Sequence, residues 1–152
     1  MMHDLTRRYF LKVIAAGTAT SAAVLTGCYG GGGGAPESVG DVTAGNVSAL
    51  QVGQVKGVPG SAVFVGRDAN GVYAMTTTCT HQGCDLASGD ITSTTITCPC
   101  HGSQYDLNGT VVRGPAPQSL THYAVSIAAD GTITVHGGST VAATTRTAAT
   151  MS

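Results

Sequence analysis

The sequence predicts an all-β domain, a small antiparallel β-sandwich or barrel, and three observations predict it. From about Val42 to Gly137 apolar and polar residues alternate at period two, and no stretch carries a 3.6-residue apolar stripe. The dipeptides Asn70-Gly71, Asn108-Gly109 and Asp130-Gly131 fall between the alternating runs and supply the positive-φ positions that tight hairpins need. Charged residues make up only 10% of the 152-residue chain, against about 25% in an ordinary soluble domain. The surface is therefore built from small neutral and hydroxyl groups, as suits an exported, strand-rich protein.

The elements follow in order. SAVFV (61–65), VYAMTT (72–77), ITSTTIT (91–97), TVVR (110–113), YAVSIA (123–128) and TITVH (132–136) are rich in β-branched and aromatic residues and read as strands. With two Phe, five Tyr and no Trp, the core carries little aromatic mass, and a domain this small draws stability from cross-links or a metal centre. The tail from Gly138 to Ser152, GSTVAATTRTAATMS, has no period and no turn signals, and disorder is expected there.

The N-terminus reads as an address. TRRYFLK (6–12) precedes an uncharged stretch from Val13 to Leu25 and then LTGC (25–28). A basic region, a short apolar run and a small-residue cleavage site form a signal peptide over residues 1–27. The run is shorter than the roughly 17 to 25 residues that span a bilayer. Arg7 and Arg8 lie in a context that resembles the twin-arginine signal, which implies export of a folded protein. LTGC resembles a bacterial lipobox, which makes Cys28 the lipid carrier, and the Gly-rich segment 28–41 with GGGGG at 30–34 becomes a flexible tether.

Charge excludes one class of partner. The net charge is −1, and beyond Cys28 four cations face seven acids, so that part carries −3. No basic stripe forms outside the extreme N-terminus, which argues against a nucleic-acid partner.

Chemistry concentrates in CTHQGC (79–84) and CPCHGS (98–103). Each box holds a Cys and a His at ligand spacing plus one further Cys. Structural zinc, a disulfide scaffold and a redox centre all use such residues. Zinc loops space a ligand pair by two to four residues, whereas one residue separates Cys79 from His81, and zinc leaves Cys84 and Cys100 unused.

C-T-H-x-G-C with C-P-C-H-G-S resembles the two cluster-binding boxes of Rieske iron-sulfur proteins. The resemblance extends over roughly Val42 to Gly137, and Gly114-Pro115-Ala116-Pro117 is similar to the family's Pro loop. It implies one [2Fe-2S] cluster per chain, carried by two loops at one tip of the domain. Cys79 and Cys98 would bind one iron as thiolates, and His81 and His101 the other through imidazole nitrogens. It also implies a disulfide between Cys84 and Cys100. Because neutral imidazoles replace two thiolates, the cluster takes an electron more readily. The family range is roughly −150 to +300 mV, against about −400 mV for plant-type ferredoxins. Imidazoles on an exposed iron couple electron uptake to proton uptake at alkaline pH.

The resemblance reaches Ser103 and Tyr105, which match the S-x-Y of high-potential members. There the Ser hydroxyl donates to a bridging sulfide and the Tyr hydroxyl to a cysteine sulfur, and such donors raise the potential by stabilising the reduced state. Gln82 departs from the Leu common in the Rieske subunit of quinol-oxidising cytochrome bc complexes. Of the remaining histidines, His3 lies in the signal, and His122 and His136 read as surface or strand-end residues.

The resulting expectation is an exported, lipid-anchored one-electron carrier between a quinol-side or enzyme donor and a cytochrome-like acceptor. The alternative is the iron-sulfur subunit of an oxidoreductase complex, either a quinol:cytochrome c oxidoreductase or an arsenite-oxidase-like enzyme. Catalysis by the chain alone is not expected, since the sequence offers no second iron site of two His and a carboxylate.

Overall fold

The computed structural model describes residues 39–149. The expected signal peptide, Cys28, most of the tether and the last three residues lie outside that range. Ten strands form two antiparallel sheets: β1 Asp41–Asn46, β2 Gln54–Gly57, β3 Val63–Asp68, β4 Gly71–Thr76, β5 Asp90–Ile91, β6 Thr95–Thr97, β7 Gln104–Asp106, β8 Val111–Arg113, β9 His122–Ile127 and β10 Thr132–Val141. The large sheet has the order β1-β10-β9-β4-β3-β2, and the small one β5-β6-β7-β8. Helical structure among the described residues is confined to two 3₁₀ turns, Val47–Ala49 and Leu86–Ser88. None of it is long and apolar enough to cross a membrane.

The β3–β4 hairpin is the shared wall of two cores. Its register runs from Val63 opposite Thr76 to Asp68 opposite Gly71, so alternate side chains point to opposite faces. Val63, Val65, Val72 and Ala74 pack with Tyr123, Ile133 and Val135 inside the large sheet. Phe64, Tyr73 and Met75 face the other way, onto Ile96, Tyr105 and Leu120. All six residues of β4 are buried, and each large apolar side chain so removed from water contributes about 1.5–3 kcal/mol. The second core carries the small sheet and, with it, both Cys/His boxes.

Three expectations change. The run ITSTTIT is not one strand: a turn at Thr92–Thr95 splits it into β5 and β6. The Thr92 hydroxyl accepts from the backbone N–H of Thr94 (3.3 Å) and of Thr95 (3.0 Å), and these local bonds outweigh the β-propensity of threonine.

The tail from 138 to 149 is not disordered. After an irregularity beyond His136, β10 continues with Thr140 opposite Tyr123 and Val141 opposite His122. Thr147 then exchanges backbone bonds of 2.8 and 2.9 Å with Val72. Polar composition suggested disorder, but backbone pairing and one arginine anchor the segment.

His122 is not a surface residue. It is 2% exposed, stacks on Tyr73 with ring centroids 6.0 Å apart, and places Nε2 2.9 Å from the Asn108 carbonyl oxygen. Burial pushes its pKa below the ordinary 6.5, Arg146 adds to the effect, and the Asn108 carbonyl and Asp106 oppose it. A depressed histidine stays neutral in the fold while the unfolded chain takes up a proton. Stability is therefore complete above about pH 6.5 and declines as pH falls below it, by up to ~1.4 kcal/mol per pH unit, until the folded pKa is reached. Denaturant midpoints at pH 7.5 and 5.5 should converge for His122→Gln relative to the parent. Equal pH dependence in the two proteins would refute this.

Candidate metal centre

The first box follows β4, and the second joins β6 to β7. Both close with the same backbone bonds. Cys79 N–H donates to Cys84 O (2.8 Å) and Gly83 N–H to Cys79 O (2.9 Å), while Cys98 N–H donates to Ser103 O (2.8 Å) and Gly102 N–H to Cys98 O (3.1 Å). Gly83 and Gly102 take φ of 74° and 70°, a left-handed conformation in which a Cβ is strained. The two loops are thus backbone equivalents. Cys79 matches Cys98, His81 matches Cys100, Gln82 matches His101 and Cys84 matches Ser103.

Cys84 and Cys100 form a disulfide with Sγ atoms 2.06 Å apart. The expected pairing holds, and it ties one loop to the other. Cys79 and Cys98 remain free thiols, each 2% exposed. The Cys98 sulfur lies within 4.8 Å of both disulfide sulfurs, but those two atoms are spent on each other. Available ligands are then Cys79, Cys98, His81 and His101. The two imidazoles meet edge to face with centroids 4.8 Å apart. His101 is exposed and His81 half-buried, so the thiols lie inward and the imidazoles outward.

One orphan atom tests whether this set fits a metal. His81 Nδ1 is buried and has no hydrogen-bond partner among the described residues. Leaving a buried imidazole nitrogen unmatched costs roughly 1–3 kcal/mol, so a ligand for it is wanted, and the two boxes each hold one buried free thiol, Cys79 and Cys98. Soft sulfur beside imidazole suits an iron-sulfur group.

The surroundings of the thiols set their protonation. Tyr105 is fully buried, with its hydroxyl oxygen 3.3 Å from Cys79 Sγ. Burial pushes the Cys79 thiol up, yet the Tyr105 hydroxyl, the His81 N–H, the Cys98 side chain and the Gln82 N–H pull it below the ordinary thiol value. Burial and the neighbouring Cys79 hold the Tyr105 phenol above its usual value. Both directions favour the proton on oxygen, so a deprotonated Cys79 sulfur is the acceptor of the pair.

Ser103, also fully buried, accepts from the Ala116 N–H (3.0 Å), which fastens the Gly114–Pro117 segment to the second box and leaves the hydroxyl proton free for another acceptor. Sequence reasoning missed Thr80. Its N–H donates to the Tyr105 hydroxyl (3.1 Å), and its own hydroxyl donates to Gln118 O (2.7 Å). Thr80 thus aims the phenol and links the Pro-containing segment to the first box. Only its place between Cys79 and His81 could have drawn attention to it.

The Rieske [2Fe-2S] domain family matches residues 38–124, more than half of the chain. The chain belongs to that family. This Rieske protein is an electron-transfer protein whose cofactor is a [2Fe-2S] cluster. It is 37% identical to the cytochrome b6-f complex iron-sulfur subunit of Prochlorococcus marinus over 145 residues, covering 82% of this chain and 81% of that one. A cytochrome b6-f complex iron-sulfur subunit of Trichormus variabilis is 36% identical over 138 residues, 77% of this chain and 76% of the other. Among solved structures, a chain from the complex of reduced oxygenase and oxidized ferredoxin in carbazole 1,9a-dioxygenase superposes with a TM-score of 0.51 at 25% identity. That match covers 67% of this chain and 96% of that one.

Proposed function

We propose that this Rieske protein is a high-potential one-electron carrier working outside the cytoplasmic membrane. In it Cys79 and Cys98 bind one iron and His81 and His101 the other. The carrying observation is the division of the six box residues: Cys84 and Cys100 are consumed by a disulfide, while two buried thiols and two touching imidazoles remain. When bound, the cluster takes up and releases a single electron. The chain's own residues bias that exchange. Tyr105 offers a proton to the Cys79 sulfur, Thr80 holds the phenol in line, and the Ser103 hydroxyl keeps a proton to give. Donors to sulfur favour the more negative state and raise the potential.

The twin-arginine motif, the LTGC segment and the Gly tether support delivery as a folded protein held at the membrane through lipid on Cys28. Export after cluster assembly reconciles reduced ligand thiols with a disulfide, because the cytosol maintains the former and the exterior the latter.

A second reading is favoured by the relatives, whose names place them in cytochrome b6-f complexes: this chain would then be the iron-sulfur subunit of a quinol-oxidising complex. Gln82 is exposed beside His81 and presents an amide where such subunits commonly carry Leu, which favours a free carrier or a different acceptor.

Electron paramagnetic resonance of the dithionite-reduced protein, with redox titration at pH 7, tests the assignment. A reduced [2Fe-2S] signal with nitrogen couplings and a midpoint above zero are expected. A midpoint well below zero would overturn the high-potential reading, and absence of nitrogen coupling would overturn the histidine ligands.

A further inference from the structure

The segment 142–149 lies beyond the family match, which ends at residue 124, yet it holds the most connected cation of the described residues. The Arg146 side chain is 12% exposed. Its Nε donates to Asp68 Oδ2 (2.6 Å), its Nη2 to Asn108 Oδ1 (2.6 Å), and its Nη1 to the Ala143 and Thr145 carbonyls (2.8 Å each). The guanidinium also lies over the Tyr73 ring, 4.2 Å from its centroid. Gly66, opposite Tyr73 in the β3–β4 register, has no side chain where that ring rests; a Cβ there would collide with it. One planar fork thus joins the β3–β4 turn, the shared wall and the turn that follows β7. That fork geometry is special to arginine.

Asn108 is three residues from Tyr105, and the intervening chain is stiff. The Asp106 carboxylate accepts from the Asn108 N–H (2.9 Å) and the Thr110 N–H (2.8 Å), so the turn and the end of β7 form one unit. Two large-sheet residues also hold this turn: the Tyr73 hydroxyl donates to Leu107 O (2.7 Å), and His122 Nε2 meets Asn108 O (2.9 Å). Arg146 stacks on the first and supplies the side-chain clamp between them.

We propose that Arg146 is a positioning residue for electron transfer: the C-terminal strap, through Asn108, fixes β7 so that the Tyr105 hydroxyl stays on the Cys79 sulfur. The proposal rests on the role of Tyr105 given above. It makes the strap part of the device that sets the potential, although no strap residue touches the ligands.

The test is redox titration of the cluster-loaded Arg146→Ala, Arg146→Lys, Tyr105→Phe and Arg146→Ala/Tyr105→Phe proteins, with iron content as a check on loading. Arg146→Ala is expected to lower the midpoint by less than Tyr105→Phe does. The double variant should match Tyr105→Phe alone, because a residue acting only through Tyr105 adds nothing once the hydroxyl is gone. Arg146→Lys should also fall below the parent, since lysine keeps the charge but loses the fork.

A parent-like midpoint in Arg146→Ala beside a lowered one in Tyr105→Phe would overturn the proposal alone, as would additive shifts in the double variant. A parent-like Arg146→Lys beside a lowered Arg146→Ala would assign the effect to bare charge and also overturn it. An unshifted Tyr105→Phe would overturn both the proposal and the role of Tyr105 beneath it. Should Arg146→Ala fail to fold, Asn108→Ala removes only the acceptor of the clamp. A lowered midpoint there supports the proposal and a parent-like one overturns it.

Discussion

A Cys98→Ala protein is expected to hold almost no iron, against two irons per cluster in the parent. Cys98 is 2% exposed, and its sulfur is flanked by two others within 4.8 Å, so proximity alone would suggest that a neighbour could substitute. In the oxidised protein the disulfide prevents it, because neither Cys84 nor Cys100 offers a thiolate once they are joined. With Cys98 gone, the remaining sulfur ligand of the proposed set is Cys79 on the other loop, and the cluster would lose one of its two thiolate anchors. Iron analysis and the visible absorption of the purified protein read the outcome. Full iron in Cys98→Ala together with loss in Cys84→Ala would reverse the division of the cysteines into ligands and staple.

The second large effect concerns the staple. Its cysteines are 16 residues apart in sequence, and closing a loop of that length restricts the unfolded chain by about 3 kcal/mol in the chain-entropy account. Cys84→Ala/Cys100→Ala should therefore lose roughly that much stability, a drop in Tm on the order of 10 °C for a domain of this size. The loss falls on a small core, whose largest fully buried side chains are Tyr105, Phe64 and Met75. It falls on the loops as well, since the staple joins both boxes directly. Thermal unfolding of the loaded proteins followed by circular dichroism gives the comparison, and a change under about 1 kcal/mol would show that the cluster alone fixes the loops.

The boxes were legible because their chemistry is local. Six ligand-type residues within two hexapeptides define the site before any folding, and the family resemblance sorted them into ligands and a cross-link. The hairpins were legible for the same reason, since Asn70-Gly71, Asn108-Gly109 and Asp130-Gly131 each connect paired strands.

What stayed hidden was non-local. Strands β1 (DVTAGN), β2 (QVKG) and β7 (QYD) are short or polar and exist because a neighbour pairs with them. Thr97 opposite Gln104 and Phe64 opposite Gly57 are facts of register, not of propensity. His122 resembled any strand-end histidine until Tyr73 and Asn108 enclosed it. The tail resembled a disordered polar segment because a single arginine with partners at Asp68 and Asn108 leaves no periodic trace.

The strap and β10 also bear on where the domain can be cut. A boundary drawn at residue 124, where the family match stops, would fall inside β9 and discard β10 entirely. Strand β1 pairs with β10 and with no other strand, so the first strand would be left without a neighbour and Val72 without its partner at Thr147. Recombinant production for spectroscopy should therefore carry the chain through Ala149. A shorter piece would keep every residue of both boxes and still lack β10 and part of β9 from the large sheet.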